Sequence, residues 1–246
     1  MRAFDFILKP NLPDRPVGRV IINREYPQAA QALKKIGIEP LLTDGCADIL
    51  PALSNHADML FNYLGNGEFL IENSQTKLNQ QLKSIGMNCV DTAELLADYP
   101  NDVLLNSCVI GGKVICSEKN THRKILDNKT VINVKQGYAK CSCAVVDETS
   151  IITDDESICS AALRNGIDAL LVSKGDVILN GFEYGFIGGC CGKIAPDVLA
   201  FCGDIRTHRD YERIQSFLAS KRITPVSLFG GKLIDIGSII PITVQN

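Results

Sequence analysis

Polar and apolar positions along the chain fall into one recurring order. An apolar run ends in a tight polar turn and a second apolar run follows; a helical stretch stopped by glycine then leads to a third short apolar run. The clearest copy reads KCSCAVV–DETS–IIT, then DDESICSAALRNG, then IDALLVS, with Asp154 or Asp155 suited to the N-cap and Gly166 to C′. An earlier copy is HADMLFNYL–GNG–EFLI, followed by the helical ENSQTKLNQQLKSIG and the strand MNCVD. Its turn is Gly65-Asn66-Gly67 and its helix stops at Gly86. A weaker copy is NDVLLNSCVI–GG–KVICS, with a degenerate SEKNTHRKIL segment and then KTVINV. A fourth opens at YGFIGGCCGKI, turns near Ala195-Pro196-Asp197, continues as VLAFCGDI, and ends with THRDYERIQSFLAS and ITPVSL.

The spacing is regular: 44 positions from Asp58 to Asp102, 39 to Cys141 and 44 to Gly185. A fifth copy is cut in two. LIDIGSIIPITV supplies its opening strand at the C-terminus, while GRVIIN, REYPQAAQALKKIG and IEPLL supply the rest at the N-terminus. An ordinary parallel α/β sheet would put one strand before each helix, whereas each helix here follows a hairpin. The expectation is α/β: five ββαβ units forming a five-bladed α/β propeller in a single domain over 1–246. Pairing the N- and C-terminal segments would close the ring and leave no sheet edge open.

Composition narrows the function classes. A net charge of −3 gives no basic footprint for nucleic acid, and 46% hydrophobic residues suffice for a sizeable core. The N-terminus carries no signal-peptide pattern and no apolar run reaches membrane-span length, so a cytoplasmic protein without membrane contact is expected. The ten cysteines are then expected as thiols, with Cys108, Cys116, Cys159 and Cys202 acting as small buried hydrophobes.

Two local stretches carry a resemblance. His56-Ala57-Asp58 resembles the His-x-Asp strand of the guanidino-group-modifying enzymes, or penteins, as in arginine deiminases; FGGKLIDIGSIIPI resembles their glycine-rich segment bearing a nucleophilic cysteine shortly before a proline. Five ββαβ units in a closed propeller are that family's fold, and the chain also resembles an uncharacterised bacterial family described as having it. The resemblance implies His56 as acid/base and Asp58 as the group that grips a guanidinium. Where the deiminases and amidinotransferases have their cysteine, six residues before the proline, this chain has Asp235 before Pro241. A carboxylate is a far weaker nucleophile than a thiolate, so ordinary cysteine-dependent deimination is not expected at that position.

Counting back eleven positions from matching second-strand residues nominates Asp58, Asp102, Cys141 and Cys190; the split unit adds Asp235. Three carboxylates around one channel call for a cation, so the expected partner is a small cationic or zwitterionic molecule bearing an amine or guanidinium. Each aspartate has a plainer reading as a turn cap. Lys135 and Lys140, in VKQGYAKCSC, would anchor a ligand carboxylate or lower the Cys141 pKa; the plain alternative is a polar connection with Gly137 at positive φ. His122 and His208 lie in polar stretches expected to be exposed. GGCCGK fails as a phosphate loop, since Ile187 stands at the first glycine position. It is expected as the opening strand of the fourth unit, with one cysteine facing the bore and the other buried.

The enzyme alternative keeps His56 and Asp58 in the family roles and moves the nucleophile to Cys141 or Cys190. A composite zinc site from Cys141, Cys143, Cys190 and His56 is the metal alternative, but no metal or cofactor is expected. A protein-binding module is a third class, since the same fold occurs in a ribosome-associated translation factor.

Overall fold

The computed structural model describes residues 4–246. The chain opens with β1 (Phe4–Phe6), β2 (Val17–Ile22), α1 (Pro27–Lys35) and β3 (Glu39–Leu42). Next come α2 (Ala57–Leu60), β4 (Phe61–Gly65), β5 (Glu68–Glu72), α3 (Thr76–Ser84) and β6 (Asn88–Ala93). The third group is β7 (Cys108–Ile110), β8 (Lys113–Cys116), α4 (Arg123–Leu126) and β9 (Thr130–Asn133). The fourth is β10 (Cys143–Asp147), β11 (Ser150–Thr153), α5 (Glu156–Arg164) and β12 (Asp168–Leu171). The short β13 (Val177–Ile178) precedes β14 (Cys191–Ala195), β15 (Val198–Phe201), α6 (Tyr211–Ser220) and β16 (Thr224–Ser227); β17 (Leu233–Ile234) and β18 (Ile240–Gln245) end the chain.

Four sheets repeat one topology, β4-β5-β6, β7-β8-β9, β10-β11-β12 and β14-β15-β16, each an antiparallel hairpin whose second strand pairs in parallel with a third. The fifth joins the chain ends: β18 pairs antiparallel with β2, and β2 parallel with β3. One strand the pattern did not announce, β1, pairs with the other side of β18. A small parallel pair, β13 with β17, is also additional. The opening strands pack in sequence, β7 on β10, β10 on β14, β14 on β18 and β18 on β4. Asn62 of β4 donates to the Leu105 and Ser107 carbonyls just ahead of β7, which links the remaining pair.

The central second strands are apolar without alternation because both their faces are covered; Ser150, Ile151, Ile152 and Thr153 of β11 are all buried. The helices are amphipathic and lay one stripe on these sheets. In α5 the Asp155 carboxylate accepts from the Ser157 and Ile158 amides, and Ile158, Ala161 and Ala162 face inward. Asn165 ends the helix and Gly166, at φ +72°, turns the chain back.

The opening runs differ from the expectation in one systematic way. The residues just ahead of the first strands are compact turns, not extended backbone. HADML is a single helical turn, with His56 at its N-cap and Asp58 inside it, before β4 begins at Phe61. In NDVLLNSCVI only Cys108–Ile110 is strand, and in GFIGGCCGK the turn runs through Cys190 so that β14 starts at Cys191. Each turn folds chemistry-bearing side chains over the end of a strand, where alternation no longer governs their direction. Among the described residues no helix is long and apolar enough to cross a membrane.

Candidate functional site

A cavity of about 340 Å³ opens beside the turns that carry His56, Cys141 and Phe186. Its polar floor is His56, Cys141 and Asp235; Tyr138, Phe182, Tyr184 and Phe186 form an aromatic wall, and Leu53, Leu179 and the exposed Glu183 complete it. Tyr138 stacks on Phe186 at 6.3 Å between centroids, and Tyr184 meets Phe186 edge-on. No lysine or arginine is among these lining residues.

Asp235 is held from three sides. Its amide donates to the Ile178 carbonyl, extending the β13–β17 pairing, and its carboxylate accepts from the Phe186 amide at 2.9 Å and the Gly237 amide at 3.0 Å. Its Oδ1 lies 3.7 Å from His56 Nδ1. Burial raises the Asp235 pKa, His56 opposes that, and Asp58 adds to it. His56 is 1% exposed and neither ring nitrogen has a hydrogen-bond partner.

Asp58 stands behind this floor. Its Oδ2 accepts from the Ser238 hydroxyl at 2.6 Å, its Oδ1 has no partner, and its amide donates to the Gly237 carbonyl. The Lys140 ammonium donates to the same Ser238 hydroxyl at 2.9 Å. Burial works against charge on Lys140, but Asp58 and the neighbouring thiols outweigh it and its pKa is raised. Asn106 ties the parts together: its amide group donates to the Asp58 carbonyl and toward the Cys141 thiol, each at 3.1 Å, and its Oδ1 accepts from the Lys140 amide.

Cys141 reaches the floor with its Sγ, one His56 ring nitrogen and one Asp58 oxygen all within 4.8 Å of one another. Burial first, then Asp58 and Asp235, raise its pKa well above that of an ordinary thiol. The expectation that Lys135 and Lys140 depress it is therefore not met: burial first, and two carboxylates after it, raise it, while the Lys140 ammonium is bonded to Ser238. Lys135 is exposed and lines a different surface pocket with Tyr99 and Pro100.

The remaining candidates divide. Asp102 is buried outside the lining; its Oδ2 accepts from the Tyr138 hydroxyl at 2.6 Å and so fixes one aromatic wall residue. Cys190 is fully buried and turned away, and the expected split between Cys190 and Cys191 does not occur, since both thiols donate to the Ile187 carbonyl. Register explains the difference. Hairpin pairing begins at Phe61, Cys143 and Cys191, so Asp58 precedes its strand by three residues, Cys141 by two and Cys190 by one. Of the composite zinc set only Cys141 and His56 come together; Cys143 instead neighbours Cys108. Gly137 does not take a positive φ; a Cβ there would meet the ring of the exposed Tyr99. His208 is buried, not exposed: its Nδ1 accepts from the Asp210 amide, and burial lowers its pKa. His122, at the N-cap of α4, accepts from the Lys124 amide.

The glycines of GGCCGK have a definite task. A Cβ on Gly189 would collide with the Asp235 carboxylate, and one on Gly188 with the Cys143 backbone. The Gly189 amide donates to the Cys141 carbonyl, while its own carbonyl accepts from the Ile236 and Ser238 amides. This turn is anchored by Asp154, whose Oδ2 accepts from the Ile187 amide at 2.9 Å. Burial pushes the Asp154 pKa up to about 7. A carboxyl raised on folding contributes stability that is fully present below its unfolded pKa near 4 and is lost as pH rises through about 7. Asp154→Asn keeps an acceptor for Ile187 without that charge. Denaturant unfolding at pH 4.5 and 7.5 should show a smaller loss of stability in the variant, by up to roughly 3 kcal/mol.

Residues 20–240 match the family described as "Family of unknown function (DUF6873)". No curated protein matches the chain in sequence. Solved structures show the fold. SxtG, an amidinotransferase of the saxitoxin pathway of Microseira wollei, aligns at TM-score 0.54 with 10% identity over 96% of each chain. The agmatine deiminase of C. jejuni aligns at 0.54 with 10% identity, covering 93% of this chain and 91% of that one. A mutant DDAH from Pseudomonas aeruginosa in complex with citrulline aligns at 0.55 with 10% identity over 86% and 92%. These are pentein-fold proteins, and the mixed α/β fold of this chain matches theirs.

Proposed function

The chain belongs to this family of unknown function, and for it we propose a five-bladed ring of ββαβ units whose central cavity binds a small organic cation, a guanidinium or an amine. The observation that carries the reading is the floor: a buried histidine with both nitrogens free beside a buried carboxylate, under an aromatic wall. Asp235 takes the cation directly, His56 contacts it or moves its proton, and the aromatic faces add cation–π attraction. Asp58, through Ser238 and Lys140, sets the charge behind the floor, and Asp102 holds Tyr138 in place. With no lysine or arginine in the lining, a cation without a carboxylate suits the cavity better than a zwitterion. Guanidine hydrolysis with a cysteine at the position of Asp235 is not part of this reading.

A second reading has one observation in its favour. Cys141, unlike Cys190, lies on the floor within 4.8 Å of a His56 nitrogen, the arrangement a relocated nucleophile needs. Because burial and two carboxylates hold its proton, His56 would have to accept it as the thiol attacks.

Thermal unfolding with agmatine, simple alkylguanidines, alkylamines, arginine and citrulline tests the main reading. A ligand present at a hundred times its Kd adds about 2.7 kcal/mol, which for a chain of this size raises Tm by roughly 5–10 °C. The expected result is such a rise for a carboxylate-free cation, lost in Asp235→Asn. Stabilisation by no cation would sink it and favour a protein partner. Turnover of the stabilising ligand, abolished in Cys141→Ser, would favour the second reading.

A further inference from the structure

We propose that His56, Asp58 and Cys141 form a binding site for a thiophilic divalent metal ion such as zinc, with a fourth position open to the cavity. Three observations meet here. One atom from each residue lies within 4.8 Å of the others, an arrangement that closes onto a tetrahedral ion with small side-chain rotations. All three residues are at least 98% buried, so water does not compete freely for them. Their polar atoms are unspent: both nitrogens of His56 and Oδ1 of Asp58 have no hydrogen-bond partner, an expensive condition for buried groups.

The surroundings fit a metal in its details. His56 Nδ1, 3.7 Å from Asp235 Oδ1, is placed for a carboxylate to orient the ring, leaving Nε2 to coordinate; this is how metal-bound histidines are commonly held. Asn106 Nδ2, 3.1 Å from Cys141 Sγ, supplies the hydrogen bond that a metal-bound thiolate accepts. Charge balances as well. On binding, the Cys141 thiol gives its proton to solvent and its sulfur lone pair to the ion. Asp58, Asp235 and the thiolate then carry three negative charges against Lys140 and a divalent ion. The mixed nitrogen, oxygen and sulfur set suits zinc or cobalt and disfavours magnesium or calcium, which take oxygen ligands. His56 and Cys141 line the cavity while Asp58 stands behind, so the open position faces the side a ligand enters.

This goes beyond the organic-cation reading and is tested separately from it, because the metal would be held by His56, Asp58 and Cys141 and the organic cation by Asp235. The probe is Co²⁺, titrated into the full chain under reducing conditions with optical detection. One equivalent is expected to bind with a thiolate-to-cobalt charge-transfer band. The band should vanish in Cys141→Ser and His56→Ala and survive in Cys89→Ser, a cysteine away from the site. X-ray absorption of the zinc-loaded native chain needs no variant: a first shell with one sulfur among nitrogen and oxygen ligands is expected. A zinc shell without sulfur, or a cobalt band that persists in Cys141→Ser, would overturn the proposal. Stabilisation by agmatine in a protein that gives no cobalt band would overturn it while leaving the organic-cation reading intact.

Discussion

Lys140→Met is expected to destabilise the protein by about 3–5 kcal/mol, the usual cost of removing one partner from a buried charge pair. Lys140 is 7% exposed, and its ammonium reaches Asp58 through the Ser238 hydroxyl, with Asp235 acting on the same thiol and histidine. Methionine fills most of the lysine volume, so packing changes little and the loss reports the charge. Without the ammonium, Asp58 has one hydrogen bond to its carboxylate and no cation behind it. Thermal unfolding should register a fall in Tm of roughly 6–20 °C. The double variant Lys140→Met, Asp58→Asn should recover a large share of that loss, because residues in one network do not add. A single variant as stable as the parent would mean that Lys140 does not balance Asp58.

Gly237→Ala is the second large effect. Gly237 has φ +76°, where a side chain costs about 1–2 kcal/mol, and its Cβ would collide with the backbone and ring base of His56. The clash cannot be relieved by rotating a flexible tip, because Gly237 itself is bonded on both sides: its amide to Asp235, its carbonyl to the Asp58 amide. Overpacking of this kind adds about 1–3 kcal/mol, for a total on the order of 3 kcal/mol. Gly230, with nothing within 4 Å of its would-be Cβ and no positive φ, is the control: Gly230→Ala should be near neutral. Denaturant unfolding separates the two. Where Gly237→Ala still folds, displacement of His56 should also remove stabilisation by an organic cation; an unaltered response would show that the ring's position does not matter.

The repeat was legible in the sequence because hairpins and amphipathic helices leave periodic traces, and the cut fifth unit was legible from the same pattern in the two terminal segments. The floor was half legible. His56, Asp58 and Asp235 stand out by a family resemblance and Cys141 by its place in the repeat, but a map of the repeat treats the run before each hairpin as strand. One helical turn at Ala57–Leu60, and irregular turns elsewhere, break the alternation on which that map depended. Hence Cys190 stands on the same footing as Cys141 in the sequence, although its thiol faces Ile187. Lys135 and Lys140 looked alike because a net position in a polar segment does not reveal which side chain is buried. Asn106 and Ser238 were missed altogether: each is an ordinary polar residue until the fold brings three units to it. The aromatic wall leaves a signal in the FEYGF run at 182–186, whose YGF the repeat assigns to the opening strand of the fourth unit and not to a cavity wall.

The most direct test of the cavity as a cation site is calorimetric titration of agmatine into the native chain and into Asp235→Asn, at one pH and ionic strength. The expected result is saturable binding to the native chain, weakened at least tenfold by the variant, which is about 1.4 kcal/mol of lost interaction. Equal affinity in both proteins, or no binding to the native chain by agmatine or any other amine or guanidine tried in its place, would contradict it.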